Sequence, residues 1–199
     1  IGVLAAGVSA VMALILGICA ATLGKKVDSA ISFAIDTVMG IPHILLLILI
    51  SYAMGKGLKG VIAGVALTHW TSLARLIRGE VMQLRESEYI QIAGKLGLGK
   101  WEIAKKHIVP HVLPQFIVGL VLLFPHAILH ESSITFLGFG LSTEQPAIGV
   151  ILSESMRYLI MGKWWLAVFP GMMLVLTVVL FEKGGTALRQ LLDPGSVHK

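Results

Sequence analysis

Residues 1–23 read IGVLAAGVSAVMALILGICAATL and contain no Asp, Glu, Lys or Arg. A helix that crosses the hydrocarbon core of a bilayer needs about 20 mostly apolar residues. The rest of the chain continues this pattern, because 56% of its 199 residues are hydrophobic and only 14% are charged, with a mean hydropathy of +0.86. A soluble domain of this size cannot hide so much apolar surface. The sequence therefore predicts an all-α integral membrane protein and excludes a soluble enzyme and a disordered chain.

Further apolar stretches divide the chain into five predicted spans. The spans are residues 1–23, 43–54, 58–77, 110–136 and 164–181. A less apolar helical segment precedes the second span, which we expect to be kinked at Pro42 because proline disrupts a helix interior. Residues 138–162 are mixed in character, and we expect them to be re-entrant or to lie at the membrane interface.

The distribution of basic residues predicts which side of the membrane each connection occupies. Alternating sides place twelve Lys and Arg on one side and four on the other. Cytoplasmic connections carry the excess of positive charge. The polar segment 79–110 and the C-terminus are therefore predicted to be cytoplasmic.

Segment 79–110 is too polar to cross a membrane and longer than most helix connections. We expect two short helices around the Gly97-Leu98-Gly99 turn, because glycine permits a sharp change of direction. Apolar positions can form one face of these helices and fit a groove on a partner protein; the alternative is a helix lying on lipid. Those positions are Tyr89, Ile90, Ala93, Leu96, Ile103 and Ile108.

Residues 88–114, EYIQIAGKLGLGKWEIAKKHIVPHVLP, resemble the coupling-loop signature of ABC importer permeases. That signature is E-A-A, three residues, Gly, nine residues and I-x-L-P. Ala93, Gly97 and Pro110 occupy matching positions, whereas Gln91, His107 and Val109 depart from it.

Four other stretches resemble the peptide/nickel/opine branch of this family, and most of all its second nickel permease subunit. They are HWTSLARLIRGEVMQLRESEYI, SSITFLGFGL, WLAVFPG and GTALRQLLDP. The resemblance implies that residues 1–199 form the transmembrane domain of a type I ABC importer permease. It also implies six spans, of which five are visible and the N-terminal one is missing, and it makes residues 86–110 the cytoplasmic coupling loop.

The resemblance further implies that the coupling loop seats in a cleft of an ATPase subunit. The implied ATPase-coupling residues are Glu88, Tyr89, Ala93, Gly97, Trp101 and Pro110. The chain has no G-x-x-x-x-G-K-[ST] phosphate loop, so we expect no enzymatic activity and no cofactor in this subunit, with ATP and Mg²⁺ bound by the partner ATPases.

The implied partners are a homologous second permease, two ATP-binding subunits, an extracytoplasmic solute-binding protein and membrane lipid, but no nucleic acid. The implied location is a bacterial inner membrane, with several spans, a cytoplasmic C-terminus and transport by alternating access.

Ionisable residues inside the spans are candidates for the transport pathway, because they are costly in a bilayer. The candidates are His69, His126, His130 and Glu131, and His43 lies near the Pro42 kink. His126 and His130 are four residues apart and share a helix face. Imidazole binds Ni²⁺, Cu²⁺ and Zn²⁺ well, although membrane histidines often only hydrogen-bond to a neighbouring helix.

The His69-Trp70 pair and the H-x-x-x-H spacing resemble the nickel permeases. They predict nickel or a nickel complex as cargo, with transient metal contact and no stable metal site. Import of dipeptides or oligopeptides is the alternative. A more remote alternative is an intramembrane metalloenzyme, but Ala127 follows His126, so the H-E-x-x-H general base is absent.

Overall fold

The computed structural model describes residues 1–192, and this part of the chain contains helices and connecting turns but no β-strand. Lys199, one of the charges behind the topology prediction, lies outside the described residues, as does the C-terminus. The helices are α1 Gly2–Thr22, α2 Lys25–Gly40, α3 His43–Ala53, α4 Gly57–Glu86, α5 Glu88–Lys95, α6 Lys100–Ile103, α7 Val109–Phe136, α8 Ile148–Leu159 and α9 Trp165–Leu192. A π-helical turn, Ala104–Ile108, joins α6 to α7.

Four helices are long and apolar enough to cross a membrane. They are Gly2–Thr22, Gly57–Glu86, Trp101–Phe136 and Trp165–Leu192. Helices α2 and α3 meet the same criterion only as a pair, so the described residues hold four spans, or five if this pair counts as one. The predicted all-α membrane fold with about five spans is confirmed.

The predicted kink at Pro42 is a complete break. Helices α2 and α3 are bent by 98° at this point, and Ile41 has an extended backbone with φ −89° and ψ 136°. The residue before a proline is pushed out of the helical region by the proline ring. The break therefore places His43, the first residue of α3, directly after a sharp turn.

The core is centred on close packing between α1 and α4. The α1 face against α4 consists of small residues, which allow two helix backbones to approach in a membrane. A Cβ atom at Gly17 would lie 2.9 Å from the carbonyl oxygen of Ala74 and 2.9 Å from Ile77. Glycine is therefore required at this crossing, where α1 and α4 pack closely.

Three helices extend beyond the spans that the sequence predicts. Helix α4 does not end near Ile77, because Ile77, Val81 and Leu84 continue one buried face to Glu86. Helix α7 is continuous with the π-helical turn before it and does not begin afresh at Pro110. Helix α9 continues beyond 181 to Leu192, since residues 182–192 keep helical backbone despite their polar composition. Hydropathy marks where the apolar face stops, whereas the backbone helix continues past it.

Two ion pairs join α2 to α4. Arg78 binds Asp28 through both its Nε and Nη2 atoms, with Nη2 2.7 Å from Oδ2. Arg75 Nη2 lies 2.6 Å from Asp36 Oδ1 in a more exposed pair. These contacts orient the helix that leads into the Pro42 break.

Candidate transport cavity and coupling segment

A cavity of about 680 Å³ lies where the α2–α3 break faces α4 and α7. Its apolar walls include Leu73 of α4 and Leu122 of α7, and its polar lining is formed by histidine, serine and threonine side chains. Within the described part of the chain, no Asp, Glu, Lys or Arg lines this cavity. The described lining of the cavity therefore contains histidines but no Asp, Glu, Lys or Arg side chain.

Three histidines from three different helices meet in this cavity. His43 begins α3, His69 lies within α4 and His130 lies within α7. One ligand nitrogen from each ring lies within 4.8 Å of the other two, and the ring centroids are 4.5–4.8 Å apart. We call His43, His69 and His130 the histidine trio. Imidazoles this close form a ready donor set for a transition metal.

Hydrogen bonds fix the orientation and tautomer of two rings of the trio. His69 Nδ1 lies 3.0 Å from the carbonyl oxygen of Val65, and His130 Nδ1 lies 2.8 Å from that of His126. A carbonyl oxygen only accepts, so we assign the proton of each ring to Nδ1. Each Nε2 then carries a lone pair, and that of His69 lies 3.2 Å from His130 Nδ1. This is the arrangement by which metal-binding histidines are usually oriented.

His43 differs from the other two in the surroundings of its Nε2 atom. Its Nε2 atom is buried and has no hydrogen-bond partner among the described residues. Buried polar atoms are nearly always paired. His43 was not among the candidate pathway residues that the sequence indicated, although its position directly after Pro42 in an apolar stretch was the available signal.

The other two candidate pathway residues lie apart from the trio. His126 lines the same cavity but is exposed, and its Nδ1 lies 2.8 Å from the carbonyl oxygen of Leu122. Glu131 is buried, accepts hydrogen bonds from Thr135 Oγ1 at 2.9 Å and Ser132 Oγ at 3.3 Å, and is absent from the cavity lining among residues 1–192. The spacing of His126, His130 and Glu131 along the chain therefore does not bring them together as one ligand set.

The predicted coupling segment does contain two short helices, α5 and α6, on either side of residues 96–99. Gly97 has φ +92°, a backbone region that only glycine enters freely. Ser87 precedes α5 with an extended backbone, and Glu88 is exposed in the first turn of α5. Pro110 is exposed near the start of α7.

The predicted single apolar face of this segment is divided between two environments. Ile90, Ala93 and Ile108 are buried against the helical bundle, so the expectation that they join an exposed docking face is wrong. Leu96 and Trp101 are instead 77% and 81% exposed. The buried half attaches the segment to α4 and α7, and the exposed half is left free for a partner.

Tyr89 lies between these two halves. It is 48% exposed, and its ring centroid is 6.0 Å from that of His107. The contact ties α5 to the π-helical turn, which connects directly to α7.

Comparison with known proteins agrees with this architecture. The family described as binding-protein-dependent transport system inner membrane component matches residues 13–196. This match covers most of the sequence, so the chain belongs to that family of multi-pass inner membrane proteins. The predicted resemblance to ABC importer permeases is thereby confirmed.

Relatives in this family are named for different cargoes. The chain is 32% identical over 194 residues to the dipeptide transport system permease protein DppC of Bacillus subtilis, covering 98% of the chain and 61% of that protein. It is 31% identical over 186 residues to the nickel transport system permease protein NikC of Escherichia coli, covering 92% of the chain and 66% of that protein. The chain thus spans about three fifths to two thirds of the length of these relatives.

The fold is also similar to that of a solved transporter. The inward-facing MetNI methionine ABC transporter gives a TM-score of 0.76 at 16% sequence identity, covering 96% of this chain and 93% of the matched chain. At this identity the likeness concerns the fold, and it supports the predicted type I importer architecture.

Proposed function

We propose that this chain is the permease subunit of an ATP-driven importer whose cargo is nickel or a nickel complex. It forms half of the translocation pathway, and a homologous permease forms the other half. Two ATP-binding subunits hold ATP and Mg²⁺ and dock on the coupling segment, and an extracytoplasmic solute-binding protein delivers the cargo. The C-terminus lies in the cytoplasm.

The lining of the cavity is the single observation that carries the choice of cargo. A free peptide brings an ammonium and a carboxylate group, and charged groups inside a membrane protein need compensating partners. Among the described residues the cavity lining offers these groups no carboxylate, Lys or Arg, but it holds four imidazoles. Neutral imidazole is a good ligand for divalent nickel. The relatives named above include both peptide and nickel permeases at nearly equal identity, so the proposed choice of cargo rests on the cavity and not on overall similarity.

The coupling segment supports the rest of the proposal. Exposed Leu96 and Trp101 offer apolar anchors to a cytoplasmic partner, and large aromatic side chains often dominate such interfaces. Buried Ile90 and Ile108 connect the same segment rigidly to the helices of the cavity. Movement of a docked ATPase is thereby passed to α4 and α7, and alternating access follows from their displacement.

Uptake by cells expressing the complete transporter tests this proposal. Radioactive Ni²⁺ and a labelled dipeptide are offered separately, and a transporter with hydrolysis-deficient ATPase subunits serves as the background. We expect ATP-dependent nickel uptake and dipeptide uptake at background. Dipeptide uptake with nickel at background would overturn the nickel proposal and favour peptide import by the same architecture.

A further inference from the structure

We propose that His43, His69 and His130 form a three-imidazole coordination site for a late first-row divalent metal ion, with His126 outside the set of ligands. The role of this site in transport rests on the proposed function. Binding at the site is measurable without transport, so the two proposals are tested separately.

The unpaired nitrogen of His43 is the first argument for a ligand. A histidine that serves only the packing of helices is expected to hydrogen-bond across the helix contact, as polar atoms in protein interiors generally do. His43 Nε2 is buried without such a partner in the described chain, yet it faces two other imidazoles. A metal ion bound to this nitrogen would supply the partner that the described residues do not.

The orientation of His69 and His130 is the second argument. Both donate Nδ1–H to a backbone carbonyl, and these bonds come from separate helices. Nε2 of His69 is consequently available as a ligand atom, and it faces His130. It lies 3.2 Å from His130 Nδ1, so metal binding requires the His130 ring to turn about χ2 and bring its Nε2 toward His69.

The spacing of the trio fits coordination after small side-chain rotations. Metal–nitrogen bonds to imidazole are about 2.0–2.1 Å long, which sets tetrahedral ligand nitrogens about 3.4 Å apart. One nitrogen from each ring lies within 4.8 Å of the other two, and His69 Nε2 and His130 Nδ1 are 3.2 Å apart. Rotation about the broad χ2 torsion of histidine covers the difference, and the cavity leaves further coordination positions open to water or a chelator.

The chemistry of three neutral imidazoles defines the class of metal. Nitrogen ligands favour Co²⁺, Ni²⁺, Cu²⁺ and Zn²⁺, whereas Mg²⁺ and Ca²⁺ require oxygen ligands. None of the described cavity-lining residues carries a carboxylate, so hard cations find no suitable donor. The three ligands lie on α3, α4 and α7, so the site depends on how these helices are arranged. The arrangement of α3 depends on the Pro42 break.

Metal binding to the purified complete transporter in lipid nanodiscs tests the site. Ni²⁺ is titrated by calorimetry, and Co²⁺ by its visible absorption, in wild type and in single His→Ala variants. We expect His43→Ala to weaken binding at least about tenfold, because even loss of an outer partner of a ligand costs 10- to 100-fold. Among residues 1–192, His43 Nε2 has no hydrogen-bond partner, so this variant removes a ligand without breaking a hydrogen bond at that atom.

The His126→Ala variant tests whether the ligands are the trio or include the pair His126 and His130 that the sequence spacing indicated. We expect it to change the dissociation constant by less than about threefold, whereas His130→Ala weakens binding as His43→Ala does. His43→Gln, which keeps a polar side chain, must also lose binding. Wild-type binding by both His43 variants, or strong loss in His126→Ala, would overturn the site. Metal binding at the trio without nickel uptake would retain the site and refute the proposed cargo.

Discussion

The histidine cavity places polar side chains among apolar ones, whereas the coupling segment exposes apolar side chains in a polar part of the chain. In the membrane-embedded part, His43, His69 and His130 present nitrogen atoms among apolar walls. In the polar segment, Leu96 and Trp101 present apolar surface that the bundle leaves uncovered. Polar groups in a membrane and exposed apolar groups outside it both cost free energy unless something binds them. The two regions therefore fit the two ligands proposed above, a small polar cargo and a protein partner.

The two regions also differ in how they are held together. The trio is assembled from three helices far apart in sequence, since His69 and His130 alone are separated by 61 residues. The coupling segment is nearly continuous, and its shape depends on one turn at Gly97. Damage to the cavity should consequently affect cargo, whereas damage to the coupling segment should affect the use of ATP.

The largest effect is expected from removing two histidines of the trio. The double variant His69→Ala, His130→Ala should lower the initial rate of radioactive nickel uptake at least about 100-fold, because each lost ligand costs about tenfold or more. Assembly of the ATPase subunits should remain, which is measured by co-purification. His111→Ala is the matched control on α7, outside the cavity lining, and should keep uptake within about twofold of wild type. Undiminished uptake in the double variant would remove the functional distinction between the two regions.

The next effect concerns the exposed anchor of the coupling segment. Trp101→Glu should lower ATP-dependent uptake about 10- to 30-fold, because loss of a central aromatic anchor commonly costs about 2 kcal/mol at an interface. Nickel binding by the purified transporter should stay unchanged. Trp101→Phe keeps an apolar ring and should retain most of the uptake. If Trp101→Glu instead weakened metal binding, the separation of cargo and coupling functions would be incorrect.

A smaller effect is expected at the turn between α5 and α6. Gly97→Ala forces an L residue into positive φ, which costs about 1 kcal/mol, and should reduce the ATPase stimulation by loaded solute-binding protein about fivefold. Gly99→Ala is the matched control, because Gly99 has open space around it and no positive φ. Equal effects of the two substitutions would show that flexibility of the segment, and not the backbone conformation at Gly97, determines coupling.

The smallest effect is expected at the ion pairs that hold α2 beside the cavity. Asp28→Asn breaks the half-buried pair with Arg78 and should lower the apparent Tm in detergent by about 2–4 °C, as a loss of about 1 kcal/mol does in a chain of this size. Asp36→Asn breaks the exposed pair with Arg75, and exposed pairs contribute little, so its Tm should change by less than about 1 °C. A larger shift for Asp36→Asn would contradict this ranking.

Much of the architecture followed from local sequence properties. The uncharged stretch 1–23, the apolar spans and the polar segment around Gly97 identified a multi-pass helical protein with a coupling segment. Helices α4, α7 and α9 extend beyond the predicted spans because hydropathy reports only the apolar part of a helix, whereas helix length also depends on hydrogen bonding and on packing such as that of Val81 and Leu84.

The sequence by itself determined the membrane class, the approximate number of spans and the family resemblance, because hydropathy and short motifs are properties of contiguous residues. Only the tertiary structure decided which histidines meet. It brought His43 to His69 through the Pro42 break, left His126 at the edge and enclosed Glu131 with Thr135. It also decided that Ile90 is covered while Trp101 is free. Contacts between distant segments depend on how helices pack, and that information is spread over every packed face of the bundle.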